Sequence, residues 1–578
     1  MSKLLSFFKN IFWELVVVFF LILTFNNYLG NDKETIDADG IGYYDYLPSV
    51  FMYHDIDRKD KPVSMDSSFY NRIISKGVYI DYKGYKLNKY PCGTAVLISP
   101  FFIYTYISQI RIDEDTNGYD FAYQKAVFYA AVFYLFLGLF LFKKLLQLYD
   151  INQINIVFLQ LLTVLATSVT HYSNNEAAFS HVYSMFAISA FFYFAKSYFV
   201  TKNINQFIWA CVCLALIALI RNVNIIIVFF IPFLAGSLIN LKEGFNTIFK
   251  YPAKLLIAIL MMVAIISIQC IFWYLQVGKF IVYSYTDEGF NFSSPAFIDI
   301  LFSYRKGLFV YTPILFISLF GLVRFAFSKQ YYLLFTWLFS FLVVNYVLSS
   351  WWCWYYGCSF GLRAYIEFYP MFFLLFALLI NKLSLWFKVP IVLISLATIP
   401  VNIIQTYQYK EFILHWVDMD RKGYWEVFLK QDDRFRGYLW KKKYDVDKYY
   451  NIEKQIDIKQ IDILANTDVR LMQVNSNNIN LFNKVSLIEV KLDNNFDSED
   501  DSKLTLTIRD SLTNTYSYSF NSPLIYLAEQ GFNKNQTGIY IMEVPVTENR
   551  NQIITLSIYS PKRKNHLNNL KVIFFGMK

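Results

Sequence analysis

Hydrophobic and polar positions divide the chain into two regions of different texture. Between residues 1 and 408, long apolar runs are separated by short polar interruptions; beyond 409 the runs shorten and charged and aromatic residues mix. A bilayer core takes roughly 17–25 mostly apolar residues per helix. Runs of that kind lie at 10–29, 124–142, 153–170, 177–199, 205–220, 223–240, 253–276, 308–325, 331–350, 364–381 and 389–407. They predict a polytopic α-helical membrane protein with about eleven transmembrane helices. From about residue 455 the pattern becomes short and alternating, as in Val485–Leu492, Leu504–Ile508, Ile539–Val544, Ile553–Tyr559 and Val572–Phe575. Such alternation between Asn, Asp, Ser and Gly turns marks half-buried strands. It predicts a mainly β domain at 455–578, a small sandwich or jelly roll. An aromatic, charged helical linker at 409–454, carrying Trp416, Trp425 and Trp440, joins it to the 1–408 domain.

Cation placement orients this arrangement. Lys3 and Lys9 precede the first run and put the N-terminus in the cytoplasm. An additional apolar stretch, 95–111, decides the rest. If it does not span, Lys143, Lys144, Lys196, Lys202, the lysines between 242 and 254, Arg324, Lys329, Lys382 and Lys388 all fall inside. The expectation is therefore a helix lying in, or dipping into, the outer leaflet. The large loop 30–123 and the C-terminal domain then share the outer face, periplasmic in a bacterial inner membrane. No small-x-small cleavage site follows the first run, which is expected to be an uncleaved span.

Composition agrees once the two regions are separated. A 56% hydrophobic, 20% aromatic chain has a mean hydropathy of only +0.34 because the polar tail dilutes the apolar part. A single soluble domain, a disordered chain and a collagen-like fibre are excluded. With 17% charged residues, the net charge of +9 reads as cations flanking membrane spans, not as a nucleic-acid surface. The six cysteines form no CxxC pair, so neither a zinc site nor a disulfide framework is supported. No GxGxxG or Walker pattern occurs on the cytoplasmic loops, so a soluble nucleotide sugar or ATP is not the expected direct substrate.

The candidate chemistry gathers on the outer face. The first loop reads Asp37-Ala38-Asp39-Gly40-Ile41-Gly42-Tyr43-Tyr44-Asp45. Asp39 and Tyr43 share a face if a helix starts there. Asp39 is a candidate catalytic acid or base, or simply a helix N-cap; with Asp37 it could ligate a divalent cation through hard oxygens. Lys89-Tyr90-Pro91 precedes the surface helix, where Lys89 could hold a lipid phosphate or merely snorkel to headgroups. Glu176 and His181 open a hydrophobic segment; ionisable groups at membrane depth are costly and tend to be functional, interfacial caps being the alternative. Arg221 interrupts two apolar runs, and a phosphate fits its planar fork. Arg305 and Lys306 lie in the next outer segment, and Trp351-Trp352-Cys353-Trp354-Tyr355-Tyr356-Gly357 leads to Arg363. The aromatic block suits sugar rings, or an interfacial belt.

These motifs resemble the GT-C superfamily of polytopic glycosyltransferases, such as protein mannosyltransferases, the aminoarabinose transferase acting on lipid A, and oligosaccharyltransferases. The resemblance covers about residues 1–408 and rests on Asp39 with Tyr43, on Lys89-Tyr90-Pro91 before a juxtamembrane helix, on Asn174-Asn175-Glu176, and on the Asp-Gly-x-Gly-Tyr-Tyr and Trp-Tyr-x-Gly-x-Ser-Phe-Gly-x-Arg patterns. Trp351-Trp352 is followed by Cys353, so the acceptor motif of N-linked oligosaccharyltransferases is not present. The resemblance implies inverting transfer of a sugar or oligosaccharide from a polyprenyl-phosphate-linked donor to an acceptor hydroxyl on a protein, lipid or glycan. It implies Asp39 as general base and Lys89, Arg221, Arg305 and Arg363 as donor-phosphate ligands. Tyr43, Glu176 and His181 would orient the acceptor, or Asp37, Asp39 and Glu176 a divalent cation such as Mg or Mn. A lipid-linked glycan transporter, or a non-catalytic subunit of a membrane complex docked through the C-terminal domain, is the alternative. No nucleic-acid partner is expected.

Overall fold

The computed structural model describes residues 2–28, 35–56, 77–111, 116–286, 288–432, 435 and 439, and eight strands between 450 and 577. Trp440, expected in the linker, lies outside the described residues. The chain divides into two compact units, Met1–Ile403 and Ile404–Lys578.

The first unit is helical. Among the described residues, six helices are long and apolar enough to cross a bilayer: Gly93–Arg111, Phe121–Gln147, Pro252–Val277, Tyr331–Ser349, Arg363–Ile380 and Leu385–Lys410. Shorter apolar helices occupy Ile11–Thr24, Gln153–Leu165, Ile204–Ile220 and Pro313–Phe327. Gly93–Arg111, expected to lie along the outer leaflet, is thus itself long enough to span. The helix His181–Thr201 falls short in apolarity because Ser184, Ser189, Lys196 and Ser197 interrupt it.

The run expected to span at 223–240 does not form one straight helix. Asn222–Phe230 is a 3-10 helix and continues as Ile231–Ala235; the chain then bends by 116° into Leu238–Phe249. The cause is local: Gly236 takes φ +80°, and the Ser237 side chain accepts from Asn240 N to cap the next helix. A glycine in the left-handed region followed by an N-cap stops one helix and starts another.

Burial differs sharply among the spans. Arg363–Ile380 is 89% buried inside the protein, whereas Pro252–Val277 is 11% and Leu385–Lys410 is 17% buried. The first is the central post of the bundle; the other two present their apolar surface outward. Lys143, expected in a cytoplasmic loop, instead sits inside the helix Phe121–Gln147, fully buried, with Nζ 2.6 Å from Glu14 Oε1. Gln160 Nε2 also donates to Glu14 Oε1 at 2.8 Å. The adjacent polar Lys144 disguised this lysine in the sequence.

The 30–123 loop is held by buried hydroxyl–carboxylate contacts. Asp45, fully buried, accepts from the phenols of Tyr79 and Tyr119. Tyr79 starts the hairpin Tyr79–Tyr82 and Tyr85–Asn88, whose strands pair antiparallel from Tyr79 with Asn88 to Tyr82 with Tyr85. Gln124 Oε1 accepts from Thr35 N and Ile36 N at 2.7 and 2.8 Å, fixing where the loop re-enters.

The second unit contains two four-stranded antiparallel sheets. In one, the order is Tyr450–Ile463, Asn565–Met577, Val485–Asp493, Thr537–Glu543. In the other it is Thr467–Asn475, Gln552–Ser560, Lys503–Asp510, Tyr516–Pro523. Val490, Leu504, Leu556, Ile558 and Val572 are buried, with Ser557 and Ile573 beside them.

The Glu14–Lys143 pair generates a stability prediction. Lys143→Met alone should cost about 3–5 kcal/mol, because it strands a buried carboxylate, while Glu14→Gln with Lys143→Met should recover most of that loss. Thermal melts of the detergent-solubilised protein measure both; equal losses in the single and double variants would rule out coupling.

Candidate functional site

The site begins with a short helix, Asp39–Tyr44, in the loop after the first helix. Ala38 enters it at φ 48° and ψ −129°, a conformation an alanine rarely adopts, and no side chain caps its start. Strain of this kind persists where surrounding contacts over-determine it. Those contacts come from two glycines. A Cβ on Gly40 would come within 2.8 Å of Ala178 Cβ, and one on Gly42 within 2.1 Å of the Tyr90 ring. The helix can therefore press against both neighbours.

Asp39 is not an N-cap. Its Oδ2 lies 2.7 Å from Arg363 Nη2, and its Oδ1 accepts from the Tyr90 hydroxyl at 2.8 Å. Burial alone would push this carboxyl up, but Arg363, the Tyr90 hydrogen bond and the Lys89 charge outweigh it and hold the acid below its ordinary value. Asp39 is thus a preformed anion at neutral pH. Tyr43, one turn on, is buried with its ring 4.9 Å from that of Tyr90. Asp37 lies half-buried just before the helix, and its carbonyl accepts from Gly40 N at 2.9 Å.

Lys89 Nζ is 3.2 Å from Glu288 Oε1 and 5.4 Å from the centre of the Tyr90 ring. Ser284 donates to Lys89 O at 2.8 Å, so the segment after the helix Pro252–Val277 is tied to the first loop. Tyr285 meets Trp351 edge-on at 5.5 Å, and Phe290 meets Trp351 at 4.9 Å. These rings form an aromatic wall beside Asp39, with Tyr285 6.4 Å from Tyr90.

A second group lies on the other flank of Arg363. Glu176 Oε1 is 3.6 Å from His171 Nε2 and within electrostatic reach of Arg363 and Lys306. Lys306 is buried and donates to the carbonyl of Ser359. Its neighbour Arg305 lays its guanidinium over the Tyr355 ring at 3.4 Å, a stacked cation–π contact. A Cβ on Gly307 would meet Ser303 O at 2.5 Å, so the turn carrying both cations needs a glycine.

A third group is deeper. His181 Nδ1 and Arg221 Nη1 converge on Glu367 Oε1 at 3.1 and 3.0 Å. His181 lies between the Phe179 ring, stacked at 5.9 Å, and the Tyr172 ring at 5.0 Å. Arg363 and Glu367 both belong to the 3-10 segment Arg363–Phe368 that opens the central post. Tyr43 is within electrostatic reach of Asp39, Arg221 and Arg363, and so lies between the outer and deeper groups.

The structure thus brings Asp39, Tyr43, Arg363 and Lys89 together, Glu176 beside them, and Arg221 with His181 below. Arg305 sits apart, on the Tyr355 face. Sequence reading did not single out Glu367 and gave Tyr90, Glu288 and Lys306 no role of their own. A lone carboxylate in an otherwise apolar run was the available signal for Glu367. For a divalent cation the fit is poor. Among the described residues no three His, Cys, Asp or Glu side chains converge. Asp37, Asp39 and Glu176 therefore do not make a metal site as placed.

No protein-family model matches the chain, and no curated protein matches it. Among solved structures it is similar to the archaeal oligosaccharyltransferase AglB from Archaeoglobus fulgidus, in complex with an inhibitory peptide and a dolichol-phosphate. The identity is 12% and the TM-score 0.39, over 73% of this chain and 58% of that one. The chain therefore spans under two thirds of that protein, and no residue correspondence follows at that TM-score.

The buried lysine yields a pH prediction. Burial pushes the Lys306 ammonium from an ordinary 10.5 down to about 7; Cys358 and Glu176 act against that, Arg363 and Arg305 with it. A cation whose pKa falls on folding weakens the fold wherever the unfolded chain carries the charge. The penalty is full below pH 7 and fades as pH rises from about 7 to 10.5. Lys306→Met should therefore raise the melting temperature most at pH 6.5 and progressively less toward pH 10. A gain that grows with pH would refute the buried charge.

Proposed function

We propose that the protein is a multi-pass membrane glycosyltransferase of the GT-C kind. It moves a sugar or oligosaccharide from a polyprenyl-phosphate-linked donor to an acceptor hydroxyl, with inversion, on the extracytoplasmic face of a bacterial inner membrane. About eleven spans with a cytoplasmic N-terminus would put the first loop and the C-terminal domain on that face. The observation that carries the reading is Asp39: an ionised carboxylate held by Arg363 and Tyr90 beside an aromatic wall.

A carboxylate has about four lone-pair positions, so two engaged oxygens still leave room for one acceptor hydroxyl. Asp39 takes the hydroxyl proton as the oxygen attacks the anomeric carbon and the bond to the donor phosphate breaks. A carboxylate of depressed pKa is a weak base, so transfer occurs late, when the hydroxyl has become acidic. Lys89, Arg221, Arg305 and Arg363 are the cations available to the departing phosphate; fixed charges placed where charge develops are often the largest catalytic contribution. Tyr43, Glu176 and His181 orient the acceptor and the ligand cations. The aromatic wall suits the apolar faces of sugar rings. The C-terminal sheets would recognise the acceptor, whether protein, lipid or glycan, or dock a membrane partner. No step uses a metal ion.

Purified protein in lipid nanodiscs, given a lipid-linked sugar and an acceptor, should release polyprenyl phosphate. Asp39→Asn should lower turnover by about 10²–10⁴-fold, the usual share of general-base catalysis, in protein that still folds and inserts, although the loss of the Arg363 counter-charge lowers its melting temperature. Near-normal turnover in that variant would remove Asp39 from the role. Translocation without phosphate release would make the protein a flippase, and neither outcome a scaffold.

A further inference from the structure

Glu367 is fully buried, on the most enclosed span of the bundle, and gathers three donors on one oxygen. These are His181 Nδ1 at 3.1 Å, Arg221 Nη1 at 3.0 Å and Asn224 Nδ2 at 3.5 Å. Its Oε2 is buried with no hydrogen-bond partner among the described residues. An ionised carboxylate only accepts, so its bond to His181 puts the ring proton on Nδ1. The 3.3 Å approach of Arg221 Nη1 to that nitrogen is then two donors meeting at one oxygen.

Stability does not explain such a node. Buried ion pairs contribute little net stability, because desolvating two charges offsets their attraction. A lone guanidinium near membrane depth has a more specific use. Arg221 stands at a break in the backbone, extended at φ −150° and ψ 110° between the helix Ile204–Ile220 and the 3-10 helix Asn222–Phe230. Without a tether, its long side chain would sample many rotamers. Glu367 engages only Nη1, and among the described residues no hydrogen bond involves Arg221 Nε or Nη2. The Arg221 side chain keeps 16% exposure and lies within electrostatic reach of Tyr43 and Tyr285, the rings that border Asp39. Glu367 and Arg363 ride on one 3-10 segment, so the Arg221 cation and the Asp39 anion are indexed to the same rigid element.

We propose that Glu367 is a positioning residue for Arg221. It clamps one amino group of the guanidinium so that the other edge meets the phosphate of a polyprenyl-phosphate ligand. The clamp rests on the transferase reading for its ligand, but not on turnover. It also makes a prediction opposite in sign to simple electrostatics. Removing a nearby negative charge should strengthen attraction for a phosphate; removing a clamp should weaken it.

The test is equilibrium binding of a short-chain polyprenyl monophosphate to the full chain in detergent, with the matching uncharged polyprenol as control. The native protein should prefer the phosphate. Arg221→Gln should weaken phosphate binding by about tenfold or more, the loss of a charge-assisted contact. Glu367→Gln should weaken it severalfold, and should have no further effect in the Arg221→Gln background. Glu367→Asp keeps the charge and withdraws it by one methylene. It should also weaken phosphate binding, and serves alone if the glutamine variant does not fold. Polyprenol affinity should not move in any variant. Tighter or unchanged phosphate binding in Glu367→Gln or Glu367→Asp, additive losses in the double variant, or no native preference for the phosphate would each overturn the proposal. Phosphate binding that follows this pattern without sugar transfer would leave the clamp standing and remove the transferase reading.

Discussion

The helical unit is organised by the cost of placing charge where water is scarce. An unpaired ionised group in an apolar bundle is expensive, so each such group must find a counter-charge or a set of donors. That requirement links Asp39 to Arg363, Arg221 and His181 to Glu367, and Glu14 to Lys143. The apolar packing around these contacts could be satisfied by many helix arrangements. The pairings admit few, because each demands two particular turns of the chain within about 3 Å. Arg363–Phe368 carries two of these partners and heads the most enclosed of the described spans, so it acts as the reference for the Asp39 site.

Small side chains then let the charges meet. Gly40 and Gly42 bring the Asp39 helix against Ala178 and Tyr90, and the Ala38 backbone absorbs the strain. The aromatic residues do a different job. Tyr90 both donates to Asp39 and fills the space that Gly42 leaves, and Trp351 meets the rings of Tyr285 and Phe290 in the segment after the helix Pro252–Val277. The site is therefore a polar core in an aromatic frame.

Much of this was legible in the residues, and the exceptions have physical causes. Asp39, Tyr43 and Arg363 stood out because charged and glycine-rich motifs interrupt long apolar runs. Glu367 did not, since one carboxylate barely alters the apolarity of a span, and its partners are remote in sequence. Lys143 looked like a loop cation because Lys144 follows it; only the buried Glu14 reveals its place. The bend at Gly236 was written in the chain as Gly-Ser after Pro232, but a continuous apolar run masked it. In the tail, alternation located five of the eight described strands; Tyr450–Ile463, Thr467–Asn475 and Tyr516–Pro523 were not named, the last because tyrosine and serine alternate there without aliphatic side chains.

The Glu14–Lys143 pair also bears on how the chain is built. Glu14 belongs to the helix Ser2–Tyr28, and Lys143 is synthesised after it, beyond the 30–123 loop and the helix Gly93–Arg111. A charged residue at the centre of a lone helix costs about 2.5–3.5 kcal/mol on insertion scales. The first helix therefore enters the bilayer with a debt that its partner settles later. Holding that helix at the insertion machinery until the later helix arrives would avoid the cost. A static ion pair becomes, in time, a checkpoint that ties the fate of the first helix to the completion of the bundle.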